Sequence, residues 1–240
     1  MKFERVEEPG GGGSTPVGLS GLTTRGIRVD GRVGSVDILE NLLSFGQQEA
    51  ILQATLDAAA LGPGDRLVDV GCGSGKLAIT AARALTRQAS DVSGSVLGID
   101  ATPGMVEFAR RSAAAARSTA RFQVGIAEAL PLEDGGVNAV TSSYFFHHLP
   151  SDAKRLALRE MWRVLAPGGR LVITDYGRAR GLKGLIASIP MRCNFYEYTR
   201  PQLGGELERL VEQELRNQAE IVQVFLGYIT VLRLVKPAGR

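Results

Sequence analysis

Apolar positions along the chain switch between two periods, and the switching outlines the fold. Val36, Leu39 and Leu43 share one helical face, and after Gly46 the set Leu52, Leu56 and Ala59 repeats the spacing, so two helices are expected before the first strand. Arg66 to Val70 is a short apolar run stopped by Gly71, the mark of a buried strand. Strand-like runs recur at Val96–Asp100, Phe122–Ile126, Val137–Ser142 and Arg170–Thr174, separated by helical segments such as Leu158, Met161, Trp162 and Leu165. Strand, helix, strand predicts a parallel sheet with right-handed crossovers, helices on both faces, and every carboxyl end along one edge. Ligand sites belong on that edge.

The rhythm breaks at the end. Ile221–Phe225 and Tyr228–Val235 are separated only by Leu226 and Gly227, too little for a helical crossover, so the last strand runs antiparallel. A helix opened by Pro201 precedes them, with Leu203, Leu207, Leu210 and Val211 on one face. The expected class is therefore α/β, a doubly wound, mostly parallel seven-stranded sheet. Nine of the 30 glycines fall in residues 1–34, which have no sustained apolar period and read as a flexible arm. Residues 35–240 read as one domain, with a helical cap over 35–60 and a lid insert over 178–200. The lid carries Leu182, Leu185, Ile186 and Ile189 at helical spacing, then Phe195, Tyr196 and Tyr198.

Composition narrows the class. With 28 Lys plus Arg against 25 Asp plus Glu, the net charge of +3 is too slight to mark a nucleic-acid or anionic-membrane surface unless a local patch concentrates it. Two cysteines, Cys72 and Cys193, exclude a disulfide scaffold and a four-thiolate zinc site, and fit a reducing cytoplasm. No run approaches the roughly 20 apolar residues of a membrane span, and residues 1–15 lack a signal-peptide core. No metal is implied, and the oligomeric state is open.

Val68-Asp69-Val70-Gly71-Cys72-Gly73-Ser74-Gly75 is a strand running into a glycine loop and then a helix through Leu77 and Leu85. Glycines there let backbone approach a ligand closely. The dinucleotide pattern needs Gly or Ala where Lys76 stands, and a P-loop needs Gly at Val70 and a hydroxyl at Leu77, so neither fits. Asp100 ends the second strand, where a carboxylate can accept both hydroxyl hydrogens of a ribose. Thr102-Pro103 is expected to cap the next helix.

His147 and His148 are the only histidines, adjacent and just beyond the fourth strand. A neutral imidazole there could take a proton from an acidic carbon, hydroxyl or amine. A structural or pocket-wall role is the plainer alternative, because residues at such a turn often pack the loop or hydrogen-bond backbone. Arg178, Arg180, Lys183, Arg192 and Arg200 make the lid basic, which a solvated helix face also explains. Aromatics are not interleaved through a long basic groove, which disfavours nucleic acid as partner.

Val68–Gly75, Val96–Arg110, Gly125–Pro131, Ser142–Leu149 and Glu160–Gly169 together resemble class I S-adenosylmethionine-dependent methyltransferases, most closely the small-molecule branch of ubiquinone and menaquinone biosynthesis. The resemblance implies a Rossmann-like fold, S-adenosyl-L-methionine as cofactor and in-line transfer of its methyl to a small, partly apolar acceptor. By the resemblance, Asp69 and Gly71 would hold the methionine end and Gly73 and Gly75 would line its backbone approach. Asp100 would bind ribose, Ala101 and Met105 would flank adenine, and Ala127 and Glu128 would lie at the adenine edge. Ser142 and Ser143 join the cofactor-binding set, and His147 and His148 the catalytic one.

This chain has Ile126 and Asn138 where the family commonly carries Asp. Two rival readings follow, a non-catalytic S-adenosylmethionine or nucleoside-binding scaffold and, from the Gly-rich loop alone, an NAD-dependent oxidoreductase.

Overall fold

Leu67, Val68 and Val70 leave β1 (Arg66–Val70) with almost no solvated side, so the strand is stable only inside a sheet covered on both faces. It lies there, parallel to β2 (Ser95–Asp100) on one side and β4 (Val137–Ser143) on the other. The computed structural model describes Thr24, Gly26 and residues 46–87, 94–192 and 199–238. The sheet has seven strands in the order β3-β2-β1-β4-β5-β7-β6, with β3 at Arg121–Val124, β5 at Leu165–Tyr176, β6 at Glu220–Phe225 and β7 at Ile229–Val235. β3 and β5 continue the parallel pairing. β7 runs antiparallel to both β5 and β6, and the short interval from Phe225 to Ile229 requires that of its pairing with β6.

The strand order reverses at β1, whose neighbours β2 and β4 leave it in opposite directions. That opens a crevice at its carboxyl end, the place where open α/β sheets bind ligands.

The helices are α1 (Gln48–Ala59), α2 (Lys76–Arg87), α3 (Pro103–Ala115), α4 (Ser151–Val164), α5 (Gly181–Ala187), α6 (Ile189–Arg192), α7 (Thr199–Leu203) and α8 (Glu206–Leu215). One face of the sheet buries Val68, Val140, Leu171 and Leu232 against α4 and α8. The other buries Leu67, Val96 and Ala139 against α2 and α3, and Val172 and Val231 against α1. Ala157, Leu158, Met161 and Val164 on α4 have no exposed surface, so this stripe is a main source of the hydrophobic stabilisation. The Lys154 ammonium, wholly buried on α4, bonds Glu206 at the start of α8 at 2.6 Å and ties those two helices together.

Three expectations change. The helix expected to run on from Pro201 is two helices, because Gly204 and Gly205 interrupt it and Gly205 takes φ +84°. α4 stops at Val164, so Leu165 opens β5; it pairs with Val137 before a register shift re-pairs Ala139 with Arg170. Thr102 makes no hydroxyl cap on α3: its carbonyl accepts from Met105 and Val106, and Pro103 fills the first turn. The helix expected around Val36, Leu39 and Leu43, most of the arm over 1–34, and Phe195, Tyr196 and Tyr198 lie outside the described residues. No described helix is long and apolar enough to cross a membrane.

Candidate active site

The glycine loop and the acid of β2 form a single cradle. Gly71 and Cys72 turn off β1 and donate their amides to the carbonyl of Ile99 at 2.8 and 3.1 Å, which folds the loop over the end of β2. The Gly73 amide then donates to Asp100 Oδ2 at 3.0 Å, and the Thr102 amide donates to Asp100 Oδ1 at 2.8 Å. Both carboxylate oxygens are thereby fixed in orientation while keeping lone pairs for a ligand's hydroxyls. The Gly125 amide donates to the Asp100 carbonyl at 3.0 Å, bringing the segment after β3 to the same point.

Glycine is required here for two different reasons. At Gly71, with φ +72°, a Cβ would meet the Phe145 ring at 2.3 Å, so the loop and the turn after β4 are in direct contact. At Gly73, with φ +50°, a Cβ would point into open space, the side from which a ligand can approach the backbone. Gly75 packs beneath Phe122 and Ala109 and closes the loop onto α3.

Asp69 is buried in β1 and accepts a hydrogen bond from Thr141 Oγ1 at 2.9 Å. Burial pushes its carboxyl up to about 7; the Thr141 bond pulls the other way and the Asp100 charge adds to the rise. A cationic group beside it would favour its charged form. Burial, and then the charges of Asp100 and Asp69, hold the Cys72 thiol well above its ordinary range, which makes it inert packing.

The residues expected at the adenine edge come from the end of β2, from α3 and from the loop after β3. Met105 is buried on α3, Ala101 is half-buried just beyond Asp100, and Ala127 is buried while Glu128 is half-buried in the loop after β3. Thr24 Oγ1 donates to Glu128 Oε1 at 2.8 Å. Gly26 packs so closely on Leu149 and the His148 carbonyl that a Cβ would meet Leu149 at 2.5 Å. These two arm positions thus touch both the loop after β3 and the histidine turn.

That loop is held from behind. Glu160 accepts from the Leu130 amide at 2.8 Å, and Arg163 donates to the carbonyls of Leu130 and Leu132 at 3.0 and 2.8 Å and to Asp134 at 2.6 Å. The bond from Arg163 keeps the Glu160 carboxyl below its ordinary range. Sequence reasoning saw this segment as a motif without seeing that it anchors the loop.

Ser142 spends its hydroxyl on the Val70 carbonyl at 2.8 Å, locking β4 to β1, and Ser143 follows it half-buried at the strand end. Asn138 lies at the opposite end of β4, where its amide oxygen accepts from the Arg66 backbone at 2.9 Å. It plays a structural part away from the crevice.

The two histidines occupy a short 3-10 turn, Phe146–His148, and part company there. His147 is buried, with Nδ1 2.8 Å from Asp175 Oδ1 and its amide donating to Asp175 Oδ2 at 3.3 Å. Asp175 is a residue that sequence reasoning passed over; its signal is a carboxylate near the end of a buried strand, the same signal that marked Asp100. Burial raises its carboxyl, yet the charge and hydrogen bond of His147, with the Tyr176 amide, outweigh burial and leave it below its ordinary range. His148 lies with its ring 4.0 Å from that of His147, and burial, reinforced by the His147 charge, depresses it well below the ordinary imidazole value. It stays neutral at physiological pH.

An aromatic wall continues from His147 through Tyr176, 4.6 Å away between ring centres, to Tyr144 and Tyr228. Thr199 and Gln202 on α7, which packs on this turn, are buried with their side-chain polar atoms unsatisfied inside the protein. Among the described residues no group of three or more His, Cys, Asp or Glu could hold a metal ion.

Comparison with known proteins agrees with this geometry. Residues 67–169 match the family described as a methyltransferase domain. A demethylmenaquinone methyltransferase of Thermus thermophilus is 35% identical over 170 residues, which cover 70% of this chain and 71% of that protein. The chain belongs to the class I S-adenosylmethionine-dependent methyltransferases. A second demethylmenaquinone methyltransferase, from Deinococcus radiodurans, is 33% identical over 170 residues; the match spans 70% of this methyltransferase but 65% of the relative, just under two thirds. The solved structure of a putative S-adenosyl-L-methionine-dependent methyltransferase from Methanococcus maripaludis shares the fold, with a TM-score of 0.61 at 19% identity over 87% of this chain and 93% of that one. The Rossmann-like, doubly wound sheet expected for the methyltransferase is the one observed.

The residues present fit the family's cofactor. The open side of Gly73, the amide-fixed carboxylate of Asp100 and the anion-poised Asp69 offer complementary partners for a sulfonium-bearing nucleoside with an amino-acid end.

Proposed function

We propose that this methyltransferase methylates a hydroxylated aromatic ring of hydroquinone type, at a ring carbon or an oxygen, with His147 as general base positioned by Asp175. The observation that carries the reading is the buried 2.8 Å contact between His147 Nδ1 and Asp175 at the carboxyl edge. With the Nδ1 proton held toward Asp175, the accepting lone pair of the imidazole sits on Nε2. That nitrogen takes the acceptor's hydroxyl proton, which raises electron density on the phenolic oxygen and on the ring carbons beside it. Deprotonation matters for carbon and oxygen acceptors, whereas amines and thiols need little such help.

When bound, S-adenosylmethionine supplies the electrophilic methyl. Asp69 would hold the amino-acid end, Gly71, Gly73 and Gly75 the backbone approach, and Asp100 the ribose. Ala101, Met105, Ala127 and Glu128 would enclose the adenine, with Ser142 and Ser143 at the strand end toward the acceptor. Tyr144 and Tyr176, packed beside His147, favour a flat, partly apolar acceptor. The names of the Thermus and Deinococcus relatives support a quinol-type ring.

The test is turnover of labelled S-adenosylmethionine with naphthohydroquinones, catechols, amines and thiols offered in parallel, products being read by mass. Methylation confined to the hydroxylated rings, and a loss of about 10²–10⁴-fold in kcat for His147→Ala with unchanged cofactor affinity, is the expected result. Preferential methylation of thiols or amines, or full turnover by His147→Ala, overturns the reading. Tight cofactor binding with no transfer to any acceptor returns the scaffold alternative.

A further inference from the structure

The lid insert presents its apolar face outward. Leu182, Leu185 and Ile186 on α5 and Ile189 at the start of α6 are 73%, 48%, 57% and 50% exposed. Their spacing of three, four and seven residues places them on one side of a nearly continuous helical path, Ser188 between the two helices keeping φ −83° and ψ −3°. Isolated exposed leucines are ordinary; four large aliphatic side chains on one short path form a patch.

The opposite side of α5 is fixed to the body. Gly184 lies directly on the turn between β6 and β7, where a Cβ would come within 2.5 Å of the Gly227 carbonyl oxygen, and the Arg180 amide donates to that same oxygen at 2.7 Å. The helix therefore cannot roll its leucines inward without losing a backbone-to-backbone contact that only glycine permits. These four side chains therefore face outward rather than onto the sheet.

Charge identifies what the patch faces. Residues 178–200 carry five basic side chains and one acid, a local excess of four where the whole chain has an excess of three. Arg178, Arg180, Lys183 and Arg200 are exposed, and neither α5 nor α6 contains an acidic residue. Aliphatic anchors beside a basic rim match the headgroup boundary of an anionic lipid surface.

We propose that α5 and α6 dock this methyltransferase on the surface of an anionic bilayer, the aliphatic face entering the headgroup boundary and the basic rim pairing with lipid phosphates. α5 leaves the carboxyl end of β5 and rests on the β6–β7 turn, so docking brings the edge that holds the site toward the lipid. The proposal does not depend on which acceptor is methylated.

The test is co-sedimentation of the full chain with phosphatidylglycerol vesicles and with phosphatidylcholine vesicles. Binding to the first should exceed binding to the second by about tenfold or more and fall in about 0.5 M salt. The double variant Leu182→Ser with Ile186→Ser should lose about tenfold in partitioning while its thermal unfolding and S-adenosylmethionine affinity stay as in the parent. Lys183→Glu, which leaves the apolar face intact, should weaken binding to phosphatidylglycerol alone. Absence of sedimentation with either vesicle, or equal partitioning by the parent and both variants, overturns the proposal. So does a homo-oligomer in size-exclusion chromatography that the double variant splits into monomers, because a second copy would then own the patch.

Discussion

At the residue scale, the raised carboxyl of Asp69 links stability to pH. Its folded value near 7 lies above the unfolded carboxylate range, so the folded protein holds a proton that the unfolded chain releases. This residue's contribution to stability is complete below about pH 4 and is lost as pH rises to about 7. Asp69→Asn should therefore raise the stability of the ligand-free protein at pH 8 by roughly 1–4 kcal/mol in urea unfolding, while weakening cofactor binding. A cationic ligand favours the ionised form, so cofactor affinity measured by calorimetry should fall by up to tenfold per unit as pH drops below about 7, and Asp69→Asn should flatten that slope. His148 acts in the opposite sense, since its depressed value makes the fold less stable as pH falls below about 6.5. Asp100→Ala should cost roughly 1–3 kcal/mol of cofactor affinity in the same titration, through lost charge-assisted bonds to ribose.

What was legible at this scale depended on chain locality. Asp69, Gly71, Gly73, Gly75 and Asp100 announce themselves because a strand, a turn and a carboxylate recur at short intervals. Asp175 did not, because its significance lies in register: β4 and β5 pair Ser143 with Thr174, which sets the next carboxylate beside the histidine turn. Asn138, a departure from the family pattern, is spent on the backbone amide of Arg66.

At the element scale, the loop after β3 depends on α4. Arg163 and Glu160 hold four of that loop's polar groups, among them the Leu130 amide and the carbonyls of Leu130 and Leu132. Arg163→Ala leaves these carbonyls without their donor, and because the side chain is partly exposed, water recovers some of the loss. The expected stability cost is about 1–2 kcal/mol in denaturant unfolding, accompanied by weaker cofactor binding with little change in kcat at saturation. Helix boundaries were the least legible feature. Hydrophobic spacing ran straight through Gly204 and Gly205 and through Leu165, because a period of 3.6 does not record where a backbone bends or pairs. The outward face of α5 escaped for a related reason: spacing reveals that apolar residues share a side, and only packing reveals whether that side is covered.

At the scale of the whole molecule, strand alternation and the short final interval were enough to fix the sheet's class and its antiparallel end, since few topologies satisfy both. Ligand linkage tests the site as one unit. At about 100 times its dissociation constant, S-adenosylmethionine should stabilise the fold by roughly 2.7 kcal/mol, about 5–10 °C in a thermal scan for a chain of this size, and NAD should give no shift. A shift with NAD instead would restore the oxidoreductase alternative. The last strand carries one more implication. β7 begins beside Tyr176 and ends beside Arg170, and Lys236 then binds the carbonyls of Trp162 and Leu165, so the polypeptide departs from the rim opposite the crevice. A tether or fused reporter grafted beyond that point would hang behind the molecule, leaving its mouth free to face a sensor surface, a vesicle or a bound acceptor.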